Sequence, residues 1–501
     1  MVGRIERLVA HPVALMLVGC AVSALGRAAI SPVAVVAGLA LLVGGTRRAS
    51  LRQIWLVGAP AIWLSVFLVY QGAAEELAGG HPAFAAMMAV AALAGVAGLL
   101  LDRALVPRLG PVAASLVLPS VRIPLEVLGA LGGPYGAWGS IASTAAGLVW
   151  LSPAVWLGGM FALSFLLTWL ASAFALAVER GGLVLASPAA ALALVAVAGM
   201  VMPHTEPSVR AAAVALPHDA TGRSAGYAAL VARYRAGVET GGALEAQNRA
   251  DLDVALAMVA RAADDGARVV SLAETNLHVL AGGEASVEAA MGGLARARGL
   301  WVSLGLAVIH RREVPFYENT IVLFSPDGTV ASRYRKSHPI GQETTDMVRG
   351  DGVVPVAAAP FGRLAGIICF DSDFLGFVRG ISRQGVDILL APSNDWASIA
   401  TMRAAVTRFR AVEAGATLVR PTSHGVSEIV APDGRLLGVA PYDAERGTIL
   451  VADVPARGAA TPYARLGDWP APTSLLLLGG LVWRSRRTYA PPAPRGRTVA
   501  S

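Results

Sequence analysis

Cys369 stands where the apolar stretch 364–369 gives way to polar chain. The end of a strand is a place where an enzyme positions a nucleophile, and a thiol becomes a strong nucleophile once it loses its proton. The other cysteine, Cys20, lies in an N-terminal apolar run, so a disulfide between the two would join a membrane helix to a soluble domain. Cys369 is therefore predicted to be a free thiol, either a nucleophile or an inert buried cysteine.

A catalytic cysteine needs a base that takes its proton and a cation or dipole that holds the anions formed. Glu274 follows the strand-like run 269–273, while Lys336 and Glu343 lie in the segment 333–343. Glutamate, lysine and cysteine thus occur in that order near the ends of predicted strands. The competing interpretations are a capping or surface role for Glu274 and a solvated loop position for Lys336.

The overall composition divides the chain into two regions. Of its 501 residues, 55% are hydrophobic and 15% are charged, which is too apolar for an ordinary soluble protein. Nearly all of the apolar excess falls before about residue 203, whereas 204–466 has the charge density of a globular domain. The sequence therefore predicts one region in a membrane and one in water.

Apolar runs that approach the roughly 20 residues needed to cross a bilayer occur seven times before the globular region and once after it. The second and eighth runs are short, and the fifth carries Arg122 and Glu126. The first run follows two arginines as a signal peptide does, but the continuing series of spans argues against cleavage. The predicted spans are about 12–28, 30–45, 53–71, 83–101, 112–131, 154–178, 183–202 and 469–483.

Arginines gather at alternate ends of these spans, which by the positive-inside rule puts the N-terminus in the cytoplasm. Seven crossings then leave the globular region outside, and the eighth returns the chain inward. The predicted organisation is an N-terminal transmembrane region at 1–203, an extracytoplasmic domain at 204–466, a C-terminal transmembrane helix at 467–487 and a cytoplasmic Pro/Arg-rich tail at 488–501. The arginines behind this prediction are Arg4, Arg7, Arg47, Arg48, Arg52, Arg103, Arg108, Arg180, Arg484, Arg486 and Arg487.

The formal net charge of +7 comes largely from these arginines and from the tail. Because they flank spans and do not line one face, the sequence predicts no nucleic-acid partner. Attraction to anionic lipid head groups fits the pattern better.

Short β-branched or apolar runs alternate with helical patterns in the globular region. Helices are predicted at 244–264 and 399–415, with Asn394 and Asp395 offering cap chemistry before the second. The turn signals at 325–328 and 431–434 predict two hairpins. The pattern fits a layered α/β domain of about 260 residues, large enough to bury its own core. The predicted strands are 268–272, 301–309, 320–324, 364–369, 386–390 and 417–419.

Beyond the ordered glutamate, lysine and cysteine, short motifs occur at 317–320, around Lys336, at 366–371, 393–396, 408–413, 420–425 and 431–434. Their order and approximate spacing resemble the nitrilase superfamily, and in particular its membrane-embedded branch, the apolipoprotein N-acyltransferases. The resemblance covers most of 260–470 by motif and the remainder by architecture. It implies a membrane α-helical bundle of about eight helices joined to an α/β nitrilase-like αββα sandwich domain.

By position, the resemblance makes Cys369 the nucleophile, Glu274 the general base and Lys336 the cation beside the oxyanion. Supporting or substrate-binding roles fall to Glu343, Asp371, Trp396 and Asn319; plain surface, hydrogen-bonding or core roles are the alternatives. The family usually has glutamate at 371 and a Pro-Phe-Gly-Glu stretch where this chain has Ile-Gly-Gln-Glu at 340–343, one residue closer to the lysine. The start of the domain, at 214–218, also departs from the family pattern.

The reaction implied by the resemblance is a two-step acyl transfer without a cofactor. An acyl chain would pass from a membrane phospholipid to Cys369 as a thioester, and then to the α-amine of the N-terminal diacylglyceryl-cysteine of an apolipoprotein. The implied location is the bacterial cytoplasmic (inner) membrane, with the catalytic domain on the extracytoplasmic side. The alternatives are a membrane-anchored nitrilase-type amidase or hydrolase acting on another amide or ester, and a degenerate paralogue that binds lipid or lipoprotein without turnover.

Other polar residues carry weaker signals. His278, His338 and His424 have spacings that match no metal-ligand pattern, so we expect structural histidines and no metal. Arg122 and Glu126, one helical turn apart on a predicted span, are expected either to contact lipid or gate access or to form a structural ion pair.

Overall fold

The computed structural model describes residues 11–133, 135–203, 207–217, 225–311 and 314–487. The predicted tail at 488–501, the arginines at positions 4 and 7, and His218 lie outside the described residues. The organisation into four segments remains a prediction.

Helices lie at every predicted span. They are α1 Pro12–Ala28, α2 Pro32–Arg48, α3 Leu51–Ala73, α4 His81–Arg108, α5 Pro111–Gly132, α6 Val149–Arg180 and α7 Gly182–Val201, followed after the α/β domain by α13 Pro470–Arg487. Five of those described, α3 to α7, are long and apolar enough to cross a membrane, so the count of eight spans is not confirmed. Helix α1 is shorter, with 17 residues, and α2 ends in two arginines.

The charged pair on α5 is an ion pair, with Arg122 Nε 2.7 Å from Glu126 Oε1. Glu126 Oε2 also accepts hydrogen bonds from the hydroxyls of Ser140 at 3.2 Å and Ser164 at 2.6 Å. A charge within a membrane helix is costly unless it is paired, so this network accounts for both residues on α5. The ion-pair alternative is confirmed, and a gating role stays untested.

The described part of the α/β domain has two large mixed sheets and one short parallel sheet of two strands. The strands are β1 Pro207–Ala215, β2 Val269–Leu272, β3 Leu277–Leu280, β4 Trp301–Ile309, β5 Tyr317–Phe324, β6 Val330–Arg335, β7 Val356–Ala359, β8 Gly362–Gly366, β9 Ile388–Leu390, β10 Ser393–Asn394, β11 Thr417–Arg420, β12 Thr422–Ser423, β13 Val426–Val430, β14 Leu436–Pro441 and β15 Thr448–Pro455. In the first large sheet the strand order is β15-β1-β2-β4-β5-β6, with β3 pairing β4, and in the second it is β14-β13-β11-β9-β8-β7. Strands β10 and β12 form the short sheet.

Side chains alternate across each strand, so each sheet has an inner and an outer apolar face. On β1, Ala211 packs between the sheets, while Ala212 packs against helices outside the first sheet. Outer helices cover both sheets, which gives the αββα sandwich predicted from the resemblance. These helices are α8 Ala225–Arg235, α9 Gly242–Asp264, α10 Glu284–Arg298, α11 Leu375–Ser382 and α12 Ala400–Ala414; short helices at Ala74–Ala78, Glu343–Asp346 and Pro462–Leu466 complete the set.

The predicted core strands and both predicted helices are present, with shifted ends. The turn at 325–328 joins β5 to β6, and the turn at 431–434 joins β13 to β14, as predicted. Strand β8 ends at Gly366, not at Cys369, because the chain leaves the β8–β9 ladder there. The predicted cap of α12 is wrong: the N-cap residue is Ile399, no described side chain caps this helix, and Asp395 instead binds Arg420.

A break in α6 joins the helices to the domain. Gly158 and Gly159 are non-helical, which frees backbone groups that need new partners. The N–H of Met160 donates to Glu413 Oε1 at 2.8 Å, and Trp469 Nε1 donates to the carbonyl of Leu157 at 3.0 Å. The broken helix is therefore capped by α12 and by the start of α13.

Candidate active site

Cys369 opens a tight turn, Cys369–Asp373, just beyond β8. Its φ is +45°, in the left-handed region that non-glycine residues rarely adopt, and its N–H donates to the carbonyl of Pro392 at 2.8 Å. Backbone strain of this kind persists only where surrounding contacts enforce it, and it clusters at functional sites. The thiol is free of any disulfide and is nearly buried, with 9% of the residue exposed.

Glu274 lies in the turn after β2 and is buried. Its Oε1 accepts hydrogen bonds from Asn319 Nδ2 on β5 and from Lys336 Nζ, each at 2.8 Å. The turn packs closely on β4, since a Cβ at Gly305 would lie 2.1 Å from the Ala273 carbonyl oxygen. Glycine at 305 therefore lets the turn that carries Glu274 pack directly against β4. Asn319 then orients the Glu274 carboxylate.

Lys336 follows β6 and is enclosed by two carboxylates. Its Nζ donates to Glu274 and to both oxygens of Glu343, at 2.9 and 2.7 Å. Burial by itself lowers the pKa of Lys336, but the two carboxylates outweigh it and raise the pKa well above its ordinary value. The pKa of Glu343 is raised, chiefly by burial. Lys336 therefore stays a cation in the site.

Burial and the charge of Glu274 raise the pKa of the Cys369 thiol to about 12, against the smaller opposing effects of Lys336 and Arg403. The resting thiol is therefore protonated at neutral pH. A reaction at sulfur requires the proton to leave as the sulfur attacks, and the Glu274 carboxylate is the anion that acts on the thiol most strongly.

Asp371 is fully buried and ties the cysteine turn to the lysine loop. It accepts from the backbone N–H of His338 at 2.9 Å, from the Tyr334 hydroxyl at 2.7 Å and from the Ile368 N–H at 3.0 Å. His338 Nδ1 lies 2.8 Å from Asp371 Oδ1, and the imidazole stacks on Phe374. Although aspartate is shorter than glutamate, Asp371 thus finds several hydrogen-bond donors. It holds the cysteine turn against the lysine loop and does not line the cavity.

Arg403 is a second cation at the site that sequence reasoning missed. It pairs with Asp373, the last residue of the cysteine turn, and both are buried. The carbonyl of Asp373 also accepts the N–H of Ala137, from the segment after α5, at 2.8 Å. The sequence gives no local signal for this role, because Arg403 is one of several arginines on the same predicted helix. The cysteine turn is therefore held by the lysine loop, by α12 and by a segment next to the membrane helices.

A cavity of about 1140 Å³ contains these groups. The predicted site residues that line it are Glu274, Lys336, Glu343, Cys369 and Trp396. Asn319 and Asp371 do not line it: Asn319 binds Glu274, and Asp371 binds the lysine loop. Its apolar wall continues into the helical region through the connection between α3 and α4 and the segment after α5. The residues of that wall are Leu77, Ala78, Trp138, Ile340, Phe370 and Trp396.

The carbon-nitrogen hydrolase family matches residues 236–463 of the chain. The chain is also similar to proteins named apolipoprotein N-acyltransferase. It is 33% identical over 155 residues to the one from Azotobacter vinelandii, 34% over 168 residues to the one from Gloeobacter violaceus, and 30% over 214 residues to the one from Pseudomonas syringae pv. tomato.

These matches cover 30%, 32% and 38% of this chain and 30%, 30% and 41% of the respective relatives. Among solved structures, an amidase from Nesterenkonia sp. AN1 aligns with 50% of this chain and 93% of its own, at 21% identity and a TM-score of 0.39. The family match and the curated relatives confirm the resemblance predicted from the sequence motifs.

Proposed function

Because residues 236–463 match the carbon-nitrogen hydrolase family, we propose that the chain is a membrane-bound N-acyltransferase acting through a Cys369 thioester. The acyl donor is a membrane phospholipid, and the acceptor is the α-amine of an N-terminal diacylglyceryl-cysteine on an apolipoprotein. The observation that carries the proposal is the single cavity that contains the thiol, the carboxylate and the ammonium beside an apolar wall from the helical region.

The first half-reaction forms the thioester. Cys369 Sγ attacks the ester carbonyl carbon while Glu274 takes the thiol proton, so no free thiolate is needed despite the raised pKa. As Glu274 takes the proton, its hold on the third N–H of Lys336 weakens, and this N–H together with a backbone N–H of the cysteine turn holds the oxyanion of the tetrahedral intermediate. When the intermediate collapses, the C–O bond breaks, and the lysophospholipid oxygen leaves with the proton from Glu274.

The second half-reaction regenerates the enzyme. The neutral α-amine attacks the thioester carbonyl and forms a C–N bond, and its surplus proton passes to Glu274. The C–S bond then breaks, and the sulfur recovers a proton from Glu274. Glu343 keeps Lys336 in place throughout, since two of the three Nζ donors are directed at its carboxylate.

The size and lining of the cavity favour lipid substrates. About 1140 Å³ exceeds the roughly 300–1,000 Å³ typical of sites for drug-sized ligands. Substrates that carry acyl chains resist leaving the bilayer, and the residues at 77–79 and 138 offer an apolar path from the helices to Cys369. A hydrolase of small soluble amides has no need of such a wall.

We also propose that the protein resides in the bacterial cytoplasmic membrane. On this proposal the domain at 204–466 faces the extracytoplasmic side, and 488–501 is a cytoplasmic tail. The arginine distribution supports that orientation.

Intact mass spectrometry tests the proposed function. The folded, detergent-solubilised protein is incubated with phospholipid alone, and we expect a mass increase of one acyl chain that is absent in Cys369→Ala. A diacylated lipopeptide is then added, and the adduct is expected to disappear as N-acylated peptide forms. Release of free fatty acid without N-acylated peptide would support the hydrolase alternative, and a folded wild type that forms no adduct would contradict the proposal.

A further inference from the structure

Asn394 lies at the rim of the same cavity but has no part in the proton transfer described above. It is the second residue of β10, which pairs in parallel with β12 so that Asn394 lies opposite Ser423. Only 6% of Asn394 is exposed, and it lines the cavity together with Cys369. The two are also close along the fold, since the N–H of Cys369 donates to Pro392, two residues before Asn394.

His424 determines which way the Asn394 amide points. Its Nδ1 lies 2.9 Å from Asn394 Oδ1, a contact that requires the proton on Nδ1 because the amide oxygen can only accept. His424 has a φ of +58°, in the left-handed region, directly after β12. This conformation turns its side chain back over β10, where the ring also faces Tyr442. A histidine in a strained backbone conformation thus holds the amide oxygen of Asn394.

Asn394 Nδ2 is buried and makes no hydrogen bond to any residue that the structure describes. Leaving a buried N–H donor unsatisfied costs about 1–3 kcal/mol, so such a group is expected to be used when a ligand is bound. Nδ2 is a donor only, so its ligand must offer an oxygen lone pair and cannot be an ammonium group.

We propose that Asn394 Nδ2 donates a hydrogen bond to the leaving ester oxygen of the acyl donor, the oxygen that departs when the thioester forms, and that His424 is the positioning residue for this amide. The inference rests on the proposed function, because it assigns Asn394 to the acyl donor. Asn394 and His424 should therefore affect thioester formation more than transfer to the amine.

The test uses variants of the full-length protein that separate the hydrogen bond from the backbone. His424→Gly keeps the left-handed conformation and removes the imidazole. His424→Asn tolerates the same conformation and restores a side-chain N–H toward Asn394. Asn394→Asp keeps the shape of the side chain and replaces the donor by an acceptor. Thermal melting checks that each variant is folded.

The rate of Cys369 acylation by phospholipid is measured against lipid concentration by intact mass. We expect Asn394→Asp to lower the apparent second-order rate constant about 10-fold or more, and His424→Gly to lower it about 3- to 10-fold. His424→Asn should recover to within about twofold of wild type. Transfer from preformed thioester to a diacylated lipopeptide should change by less than about twofold in all three.

A second acyl donor separates failure of this inference from failure of the proposed function. p-Nitrophenyl octanoate releases nitrophenolate when it acylates Cys369, whatever the natural donor is, and Cys369→Ala is the blank. If wild type is acylated by this ester and not by phospholipid, the proposed acyl donor is wrong. In that case slower acylation of Asn394→Asp by the ester would still support the hydrogen bond from Asn394. Folded Asn394→Asp with wild-type acylation by both donors would overturn the inference, as would equal defects in His424→Gly and His424→Asn.

Discussion

Glu343 binds the ammonium of Lys336 with both carboxylate oxygens, at 2.9 and 2.7 Å, while Glu274 binds the same ammonium at 2.8 Å. One buried cation is thus shared by two carboxylates. The two carboxylates are not equivalent, since Glu274 is also held by Asn319 and acts on the thiol, whereas Glu343 also accepts the N–H of Ile340 at 3.1 Å. In the proposed mechanism, Glu343 anchors the lysine and Glu274 exchanges the proton.

Replacing Lys336 by Met should lower the rate of thioester formation by about 10²–10³-fold, because one donor to the oxyanion is lost. The variant also leaves Glu274 and Glu343 facing each other without a cation, so the melting temperature should fall. Intact mass over time measures the rate. Lys336→Arg is the matched control: it keeps the charge, but a planar guanidinium cannot reproduce the ammonium that bonds Glu274 and Glu343 together, so it should not restore the rate. Full activity in Lys336→Met would rule out the oxyanion role.

Alkylation of Cys369 by iodoacetamide should accelerate about tenfold per pH unit from about pH 7 to about pH 10. A thiol with a pKa near 12 is almost wholly protonated over this range, so the thiolate fraction rises in proportion to hydroxide concentration. Cys20→Ala provides the background in which a single site is labelled. A plateau of the rate below about pH 9 would show that the thiol is more acidic than its surroundings indicate.

Glu274→Gln should abolish acyl transfer and yet increase the reactivity of Cys369 toward iodoacetamide at about pH 9. The substitution removes the base, and it also removes the negative charge that raises the thiol pKa, so a larger fraction of thiolate is present. The two rates are measured on the same preparation by mass spectrometry. Unfolding would also expose Cys369 and raise its alkylation rate, but it would expose the buried Cys20 as well. Cys20 labelling that stays at the wild-type level therefore identifies the predicted effect.

Asp371→Asn should lower both the melting temperature and the rate of thioester formation. The buried carboxylate accepts from several donors at once, among them the N–H groups of Ile368 and His338 and the Tyr334 hydroxyl. An amide places N–H₂ against one of these donors, and hydrogen bonds to charged groups are worth about 1.5–3 kcal/mol. Because Asp371 does not line the cavity, the apparent KM for lipid should change less than kcat. A change confined to KM would contradict the positioning role.

Gly159→Ala should destabilise the protein by about 2–4 kcal/mol. Gly159 has a φ of +68° at the break in α6, and a Cβ there would lie 2.4 Å from the ring of Tyr463. Gly129→Ala is the matched control, since that glycine lies within α5 with nothing within 4 Å of the added Cβ. Differential scanning fluorimetry in detergent compares the two, and equal melting temperatures would mean that the break is not required for docking the domain.

The sequence alone predicted much of the architecture because apolar length and period are local properties. Runs such as 83–101 and the strand 301–309 correspond to α4 and β4, and the motifs around Cys369 led to the family match. Strand β1 was not predicted, because its alanine-rich sequence has weak β propensity. It forms a strand because it pairs with β2 and β15 on either side. Among the described residues, five helices are long and apolar enough to cross a membrane. The number of spans is harder to predict than their positions, because a short apolar run can fall below the length that a bilayer requires.

The sequence also predicted which chemical groups form the site, because a glutamate, a lysine and a cysteine follow one another along the chain near the ends of predicted strands. Only the tertiary structure brought Arg403 to Asp373, His338 to Asp371 and His424 to Asn394. Each of these pairs joins residues at least 30 positions apart, through strand order, register and strained turns that no local pattern encodes. The raised pKa of Cys369 likewise depends on burial and on the neighbouring Glu274, so the protonation state of the nucleophile is a property of the fold.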